Sequence, residues 1–507
     1  MSSMFLRACA RRAAATASIA TSSWSVSQSN ERLVSSGELA SHNERLVSSD
    51  ELASHDFTPV AEGGSGRLWV SYKRGVYDVT DWAAQHPGGL ANLKMAAGGP
   101  VDAYWAHWSV HVQDPSAALP VLEKYRVGRL AEDEEEDDDD PYVDEPDRAA
   151  RIAAGLRPLK AGAGGKATGP FEAECDVPGL SFLTPADIFY VRNHAPAPRD
   201  DAPAFCVGLA DGSGVSVRVD ALRRGDFGPV VSLPVTVQCS GNRLREAGAA
   251  IGGVNGWTGR GSGYGLISTA TWEGVRLADV LEATGALAGS GGDWHVEATG
   301  RDGYANSVPL RDVVSNDALL AFGMNGGPLP RDHGAPLRLV LPGCVGARQV
   351  KWLDGVRLLP ERSEAPWQRS FYTFPDGSPV RHWPVCSAAT AYDPATRELR
   401  GFAYAGDGRG VARVDVSFDG GETWTAAALE PPAVRDDARW AWRLWRAAAP
   451  RDAKTLDCAV RATDLAGVAQ PLAPRDAIAH MPKGYLFNAV HRVAFDAAKP
   501  VHCNRLN

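Results

Sequence analysis

The sequence predicts an α+β multidomain chain: a small unit of short strands and helical turns, a larger mixed α/β region, and an all-β sandwich in the C-terminal third. Three observations carry this reading. The 507 residues, at roughly 150 per domain, make about three domains, each large enough to bury its own core. Residues 131–148 hold twelve Asp and Glu against the single Arg148, a density of like charge that repels and extends instead of folding. Beyond about residue 380, short alternating strands with turn signals replace a Gly-rich stretch in which strand and helix patterns mix. With 44% hydrophobic and 22% charged residues, 53 Gly and 34 Pro, the composition is that of a globular, loop-rich protein.

Taken in order, residues 1–29 carry Arg7, Arg11 and Arg12 among many Ala and Ser, with no acidic residue before Glu31, the composition of a mitochondrial transit peptide. Residues 30–55 are a duplicated leader, NERLVSSGELASH followed by NERLVSSDELASH, differing only at Gly37 and Asp50; two copies do not make a solenoid. The second copy runs toward folded sequence, with Ser49 as expected N-cap ahead of Asp50 and Glu51. Residues 56–130 form a compact unit, with strands at 67–72 and 76–79 about Arg74-Gly75 and short helical stretches after them. Residues 131–164 are the acidic linker, 165–380 the mixed α/β region, and 381–507 the sandwich. In the last, a strand at 411–418, the Asp419-Gly420-Gly421 turn and Trp424 read as a hairpin, and Trp440, Trp442 and Leu444 alternate on one face.

The formal net charge of −9 sits almost wholly in the acidic run; the rest is near +2. No basic stripe with interleaved aromatics stands out, so nucleic-acid binding is not expected. No span of ~20 uninterrupted apolar residues predicts a transmembrane helix. The cysteines at 9, 175, 206, 239, 344, 386, 458 and 503 include no C-x-x-C pair, which predicts reduced thiols and neither a zinc knuckle nor a redox dithiol.

Two constellations carry chemistry. In the first, His86 lies in His86-Pro87-Gly88-Gly89 after the amphipathic turn 79–85, and His111 follows beyond Tyr104-Trp105-Ala106-His107-Trp108. Two neutral imidazoles filling both axial positions suit a six-coordinate electron-transfer haem, and Gly88 and Gly89 allow close approach of backbone to a porphyrin edge. This segment resembles the cytochrome b5 family, whose motif and second histidine match in order and spacing. The resemblance implies haem b, with His86 and His111 as iron ligands; His107 is the rival that spacing disfavours.

In the second, residues 186–194 end in Arg192, Asn193 and His194, and the run Val-Thr-Val-Gln-Cys-Ser-Gly-Asn-Arg at 235–243 puts Cys239 at a strand end before a tight turn. A thiolate beside an arginine can ligate a soft, high-valent metal, although a cysteine taken alone is more often a buried structural thiol. Asp332-His333-Gly334-Ala335-Pro336-Leu337-Arg338 and Val345-Gly346-Ala347-Arg348-Gln349-Val350-Lys351-Trp352 follow. Together these resemble the sulfite oxidase family of molybdenum enzymes across nearly all of residues 56–507. The order of haem domain, linker, molybdopterin domain and C-terminal dimerising sandwich matches its animal members, whereas assimilatory nitrate reductases carry the haem domain last.

The resemblance implies a molybdenum-molybdopterin cofactor ligated by Cys239, and an immunoglobulin-like form for the sandwich. Tyr190, Val191, Arg192, Asn193, His194, Asp302, His333, Arg338, Gln349, Val350 and Lys351 would hold the pterin and its phosphate, which cationic forks neutralise through charge-assisted hydrogen bonds. Arg192 and Tyr372 match the family's active-site Arg and Tyr, and Trp257 and Lys483 fall at substrate positions. Three departures stand out: Leu244 where the family has a second arginine, Asn255 for a lysine, and Lys483 for an arginine. Arg245 is a neighbour able to slide into the vacated role.

The implied activity is oxidation of sulfite to sulfate, with electrons passing through the haem to cytochrome c, a basic partner that an acidic chain would steer. A homodimer through residues 381–507 and residence in the mitochondrial intermembrane space are also implied, although no apolar sorting segment follows the basic leader. The departures keep a second reading open, the same scaffold acting on another oxyanion or S-oxide. A third, a haem electron carrier tethered to a cofactor-free domain, is opposed by the presence of Cys239, Arg192 and Tyr372 together.

Overall fold

The computed structural model describes residues 44–502 apart from 87–89, 95, 103–104, 106–114, 132–147, 160–171, 177–178, 180, 194–196, 199–201, 252–261, 292, 432–438 and 479–483. The basic leader, the first repeat copy, most of the acidic run, His107, His111, His194, Asn255, Trp257 and Lys483 lie outside the described residues. The chain forms two compact units, one whose described residues run from 44 to 131 and one whose described residues run from 148 onward. No helix among the described residues is long and apolar enough to cross a membrane.

In the first unit, β1 (Leu46–Val47), β2 (Trp69–Tyr72), β3 (Gly75–Asp78), β4 (Gly99–Pro100) and β5 (Arg126–Leu130) make one sheet ordered β1-β5-β3-β2-β4. The period-2 alternation of a strand divides its side chains between two cores. Val70 and Tyr77 pack with Leu68, Val79, Ala83, Ala96, Val101 and Leu122 on one side, while Trp69 and Val76 join Val47 and Leu52 on the other. The second repeat copy is therefore part of the fold and not leader, which moves the start of this unit ahead of residue 56. Its strand β1 pairs in parallel with β5, and the helix Ser49–Ala53 buries Leu52. The cap is Ser48, not Ser49: Ser48 is extended and its Oγ accepts the Glu51 N–H at 3.1 Å, whereas Ser49 is already helical. Such a cap contributes ~1 kcal/mol.

The second unit opens inside the stretch expected to be linker. The helix Arg148–Ala154 leads into β6 (Leu156–Pro158), which pairs antiparallel with β7 (Ala173–Cys175). Arg151 pins this helix, donating to the Asp332 carboxylate and to the Asp187 carbonyl at 3.2 Å, so residues 148–158 belong to the second unit and not to a linker.

Two sheets follow. One holds β10 (Val230–Gln238), β11 (Ile267–Arg276), β14 (Leu319–Met324) and β15 (Gly327–Pro328), with β16 (Arg338–Val340) also on β14. The other is ordered β13 (Ala305–Pro309), β12 (His295–Gly300), β17 (Leu353–Leu359), β8 (Ala204–Gly208), β9 (Gly214–Arg218). Val207, Val217, Val275, Val296, Leu320 and Val356 belong to one apolar cluster between them.

The C-terminal sandwich is a five-stranded and a four-stranded sheet, every pairing antiparallel. The first runs β22 (Ala428–Leu429), β23 (Arg443–Ala448), β19 (Glu398–Tyr404), β18 (Cys386–Asp393), β26 (Val501–His502); the second runs β21 (Thr425–Ala426), β20 (Val411–Ser417), β24 (Thr455–Asp464), β25 (His491–Asp496). Trp440 and Trp442 precede β23 and fasten the sandwich to the preceding sheets. Trp440 packs with Val235, Val237 and Trp272, and Trp442 donates its backbone N–H to Thr236 Oγ1 at 2.8 Å and its indole N–H to the Phe182 carbonyl at 2.9 Å.

Candidate active site

Strand β10 carries Cys239 to the site. Its ladder with β11 runs unbroken from Val230↔Val275 to Gln238↔Ile267, and Cys239 follows directly, its N–H donating to the Leu266 carbonyl at 3.0 Å. The chain then turns. Asn242 N–H closes on the Cys239 carbonyl at 2.9 Å, and Asn242 Oδ1 accepts from Leu266 N–H at 3.0 Å. Alternation from Val237 keeps the thiol on the side of the cleft. Arg243, left-handed at φ 66°, grips both carboxylate oxygens of Glu246 at 2.9 and 2.6 Å and the Ala489 carbonyl at 2.6 Å. Leu486 N–H bonds to the Ser240 carbonyl at 2.8 Å, and the Tyr485 ring lies 5.4 Å from that of Tyr372. The segment from Tyr485 to Ala489 thus closes over the cysteine turn.

A cleft opens beside the thiol, and Tyr190, Arg192, Asn193, Cys239, Asp302, His333, Arg338, Gln349, Lys351 and Tyr372 all line it. Sequence reasoning missed Phe189, Val237, Tyr304, Gly346, Ala347 and Trp352, which line it too. Two expected members do not. Val191 packs with Leu156 and Ala173 and Val350 lies in the large apolar cluster, because alternate residues of an extended run face opposite ways. Arg245 does not fill the place of the missing arginine either; its guanidinium sits 3.9 Å from the Glu174 carboxylate, off the cleft lining.

Arg192 pairs with Glu172 at 2.6 Å. Burial works against its charge, but Glu172 and Cys239 outweigh it and hold the guanidinium above its ordinary pKa. Tyr372 adopts a left-handed backbone at φ 50°, as does Trp352 at φ 48°, a conformation retained in non-glycine residues where surrounding structure over-determines it. Burial, then Tyr304 and Tyr485, push the Tyr372 phenol well up, so it is a hydrogen-bond donor at neutral pH.

The far wall is cationic. Burial brings Arg338 down to about 10, and burial together with Arg338 brings Lys351 down to about 7. Burial, Arg151 and Lys351 hold His333 well below its ordinary range. The neutral His333 ring bonds through Nε2 to the Ala186 carbonyl at 3.0 Å, which requires Nε2 to carry the proton and leaves Nδ1 as acceptor. Lys351 donates to the Arg192 and Asp332 carbonyls at 3.1 and 2.9 Å and to Asn193 Oδ1, tying three cleft segments together. Asp302, lifted to about 6 by burial against the Tyr304 N–H and Lys351, is the acidic member.

This donor set fits an anionic, hydrogen-bonding cofactor. Arg338 Nε and Gln349 Oε1 are buried without a hydrogen-bond partner among the described residues, and cations whose charge burial disfavours are what an anion would relieve. Gly346 matters here because a Cβ on it would come within 2.9 Å of the Tyr190 hydroxyl, so only glycine leaves that wall open. Among the described residues no three His, Cys, Asp or Glu side chains converge as a metal-binding group; Cys239 would be a single protein ligand to a metal carried by an organic cofactor. In the first unit, His86 ends the turn Ala83–Gln85 with its ring edge-on to Trp82 at 5.1 Å.

Known protein families match stretches of both units. The cytochrome b5-like heme/steroid binding domain family matches residues 48–131, the oxidoreductase molybdopterin binding domain family residues 194–367, and the Mo-co oxidoreductase dimerisation domain family residues 382–497. The mitochondrial sulfite oxidase of Macaca fascicularis is 38% identical, covering 84% of this chain and 81% of its own length; that of Homo sapiens is 37% identical with the same coverage. The sulfane dehydrogenase SoxCD of Paracoccus pantotrophus shares the fold, with a TM-score of 0.56, 23% identity, and coverage of 72% of this chain and 94% of that one.

Proposed function

Since the chain belongs to the sulfite oxidase family of molybdopterin oxidoreductases, we propose that Cys239, Arg192 and Tyr372 form its catalytic constellation. The protein is a molybdenum-dependent oxidoreductase with a b-type haem domain, of the type that oxidises sulfite. When bound, the molybdenum cofactor supplies two-electron oxygen-atom transfer and the haem one-electron outflow. Cys239 ligates the metal, and Arg338, His333, Asn193, Gln349 and Asp302 hold the pterin and its phosphate, with Lys351 keeping their segments in register. Arg192 holds the oxyanion through charge-assisted hydrogen bonds. The Tyr372 hydroxyl donates to substrate oxygen as a preorganised dipole. His86 and His111 are the haem ligands.

The observation that carries this reading is the convergence of Cys239, Arg192 and Tyr372, from three distant stretches of chain, on one cleft whose wall includes Arg338 with an unanswered Nε. Electrons leave to cytochrome c, which the acidic run steers; the protein acts as a homodimer through the sandwich, in the mitochondrion and specifically its intermembrane space. The test is anaerobic mixing of the purified, molybdenum-loaded protein with sulfite while following the haem bands. Rapid reduction is expected; loaded protein whose haem stays oxidised sinks the sulfite assignment and turns attention to other oxyanions and S-oxides, to which Leu244 already points.

A further inference from the structure

The mechanism above uses Arg192 but not the residue that holds it. Ala173 and Val191 form an antiparallel bridge, with N···O distances of 3.0 and 2.8 Å. One position along the same register, Glu172 stands opposite Arg192, and directly opposed residues of an antiparallel pair share a face. Their side chains meet at 2.6 Å, Glu172 only 1% exposed and Arg192 26%. A carboxylate so buried stays charged through a cationic partner, and here that partner is the group facing the substrate and Cys239. The neighbouring carboxylate on this face, Glu174, faces Arg157 and Arg245 instead, so of the two it is Glu172 that pairs with a residue lining the cleft.

We propose that Glu172 is a positioning residue that sets how strongly the site holds an oxyanion; the inference rests on the reading of Arg192 as the oxyanion-holding group. A guanidinium offers five N–H donors in a planar fork. One edge given to Glu172 fixes the plane in which the other edge meets substrate. The same carboxylate offsets most of the positive charge that an incoming dianion would feel. Glu172 therefore trades affinity for orientation: product sulfate, a dianion, leaves more readily, and the site discriminates less sharply against weakly charged or neutral S-oxides than an uncompensated arginine would.

The test is Glu172→Gln in the full-length, cofactor-loaded protein. The amide keeps an oxygen against Arg192 and removes the charge, so KM for sulfite is expected to fall about tenfold, the scale of one close charge in a partly solvated site, with kcat changed less than about threefold. Sulfate binding, read independently of turnover by tryptophan-fluorescence titration, is expected to tighten by a similar factor, and binding of the monoanion nitrate by less. Unchanged KM and sulfate affinity in a variant with normal haem and molybdenum content overturn the proposal, as does equal tightening of nitrate and sulfate. If Glu172→Gln fails to load, Glu172→Asp, which withdraws the charge by one methylene, serves instead. A fall of about threefold in both constants is then expected, and unchanged or raised values overturn the idea. Should the wild-type haem not respond to sulfite, the activity assignment fails, while the sulfate titrations still decide the role of Glu172.

Discussion

Two arginines of the second unit are equally sunk in the protein and yet differ in kind. Arg348 is wholly buried, and its fork is filled by the protein: Nε to the Val380 carbonyl at 2.8 Å, Nη2 to the Tyr372 carbonyl at 2.9 Å, and Nη1 to Gln368 Oε1. Arg338 gives Nη1 to the His333 carbonyl at 2.8 Å and lies over Trp272 at 4.7 Å, while its Nε has no hydrogen-bond partner among the described residues. Burial lowers the pKa of both. What separates them is satisfaction, and the lesson is that a buried cation with every nitrogen answered is architecture, whereas one with a nitrogen to spare beside a cleft is a ligand site.

The comparison can be broken most severely at Arg348. Arg348→Met takes a donor from the Val380 and Tyr372 carbonyls and from the Gln368 amide oxygen and leaves a cavity where the guanidinium lay, and is expected to cost ~3–5 kcal/mol, read as a drop in Tm with or without cofactor. Arg338→Met is expected to behave oppositely. The cofactor-free protein keeps its Tm, since an under-satisfied buried charge is removed, while molybdenum content after expression in a competent host falls about tenfold or more, the loss of one charge-assisted contact. A cofactor-free Tm that collapses as in Arg348→Met would erase the distinction.

The smallest effect is a pH dependence. Lys351 loses its proton at about 7 in the fold but near 10.4 in the unfolded chain, so between these values the unfolded chain binds more protons and stability rises with pH. Cofactor-free protein is thus expected to gain a few degrees of Tm from pH 7 to 9, a gain reduced once a bound anion restores the lysine's charge. A cofactor-free Tm that falls over this range would count against the cationic wall.

Much of this site was legible because its residues stand in short local patterns. Cys239 could be placed at a strand end from the alternation of 235–239, and the sandwich from its spaced strands and turns. What was not legible came from geometry that a linear run hides. Taking Tyr190 to His194 and Gln349 to Lys351 whole swept in Val191 and Val350, whose side chains pack into apolar clusters instead. Tyr304, Trp352 and Gly346 reach the cleft from elements that only the tertiary fold brings together. Arg245 fails to substitute for Leu244 because Glu174 draws it aside, a contact made across the fold. Ser48 and Ser49 are equivalent as letters, and only backbone conformation chooses the cap.

The closure of the 484–490 segment over the cysteine turn bears on the order of manufacture. Arg243 and the Ala489 carbonyl that it grips are 246 residues apart, and Leu486 and Tyr485 reach back in the same way to Ser240 and Tyr372. A ribosome delivers the chain from its N-terminal side, and domains generally fold as they emerge. The haem unit can be complete while the thiol turn still lacks its cover. A message cut short ahead of residue 485 would therefore give a product that binds haem and absorbs like the whole protein but has an unfinished second cofactor site, so colour alone is no assay of a competent enzyme.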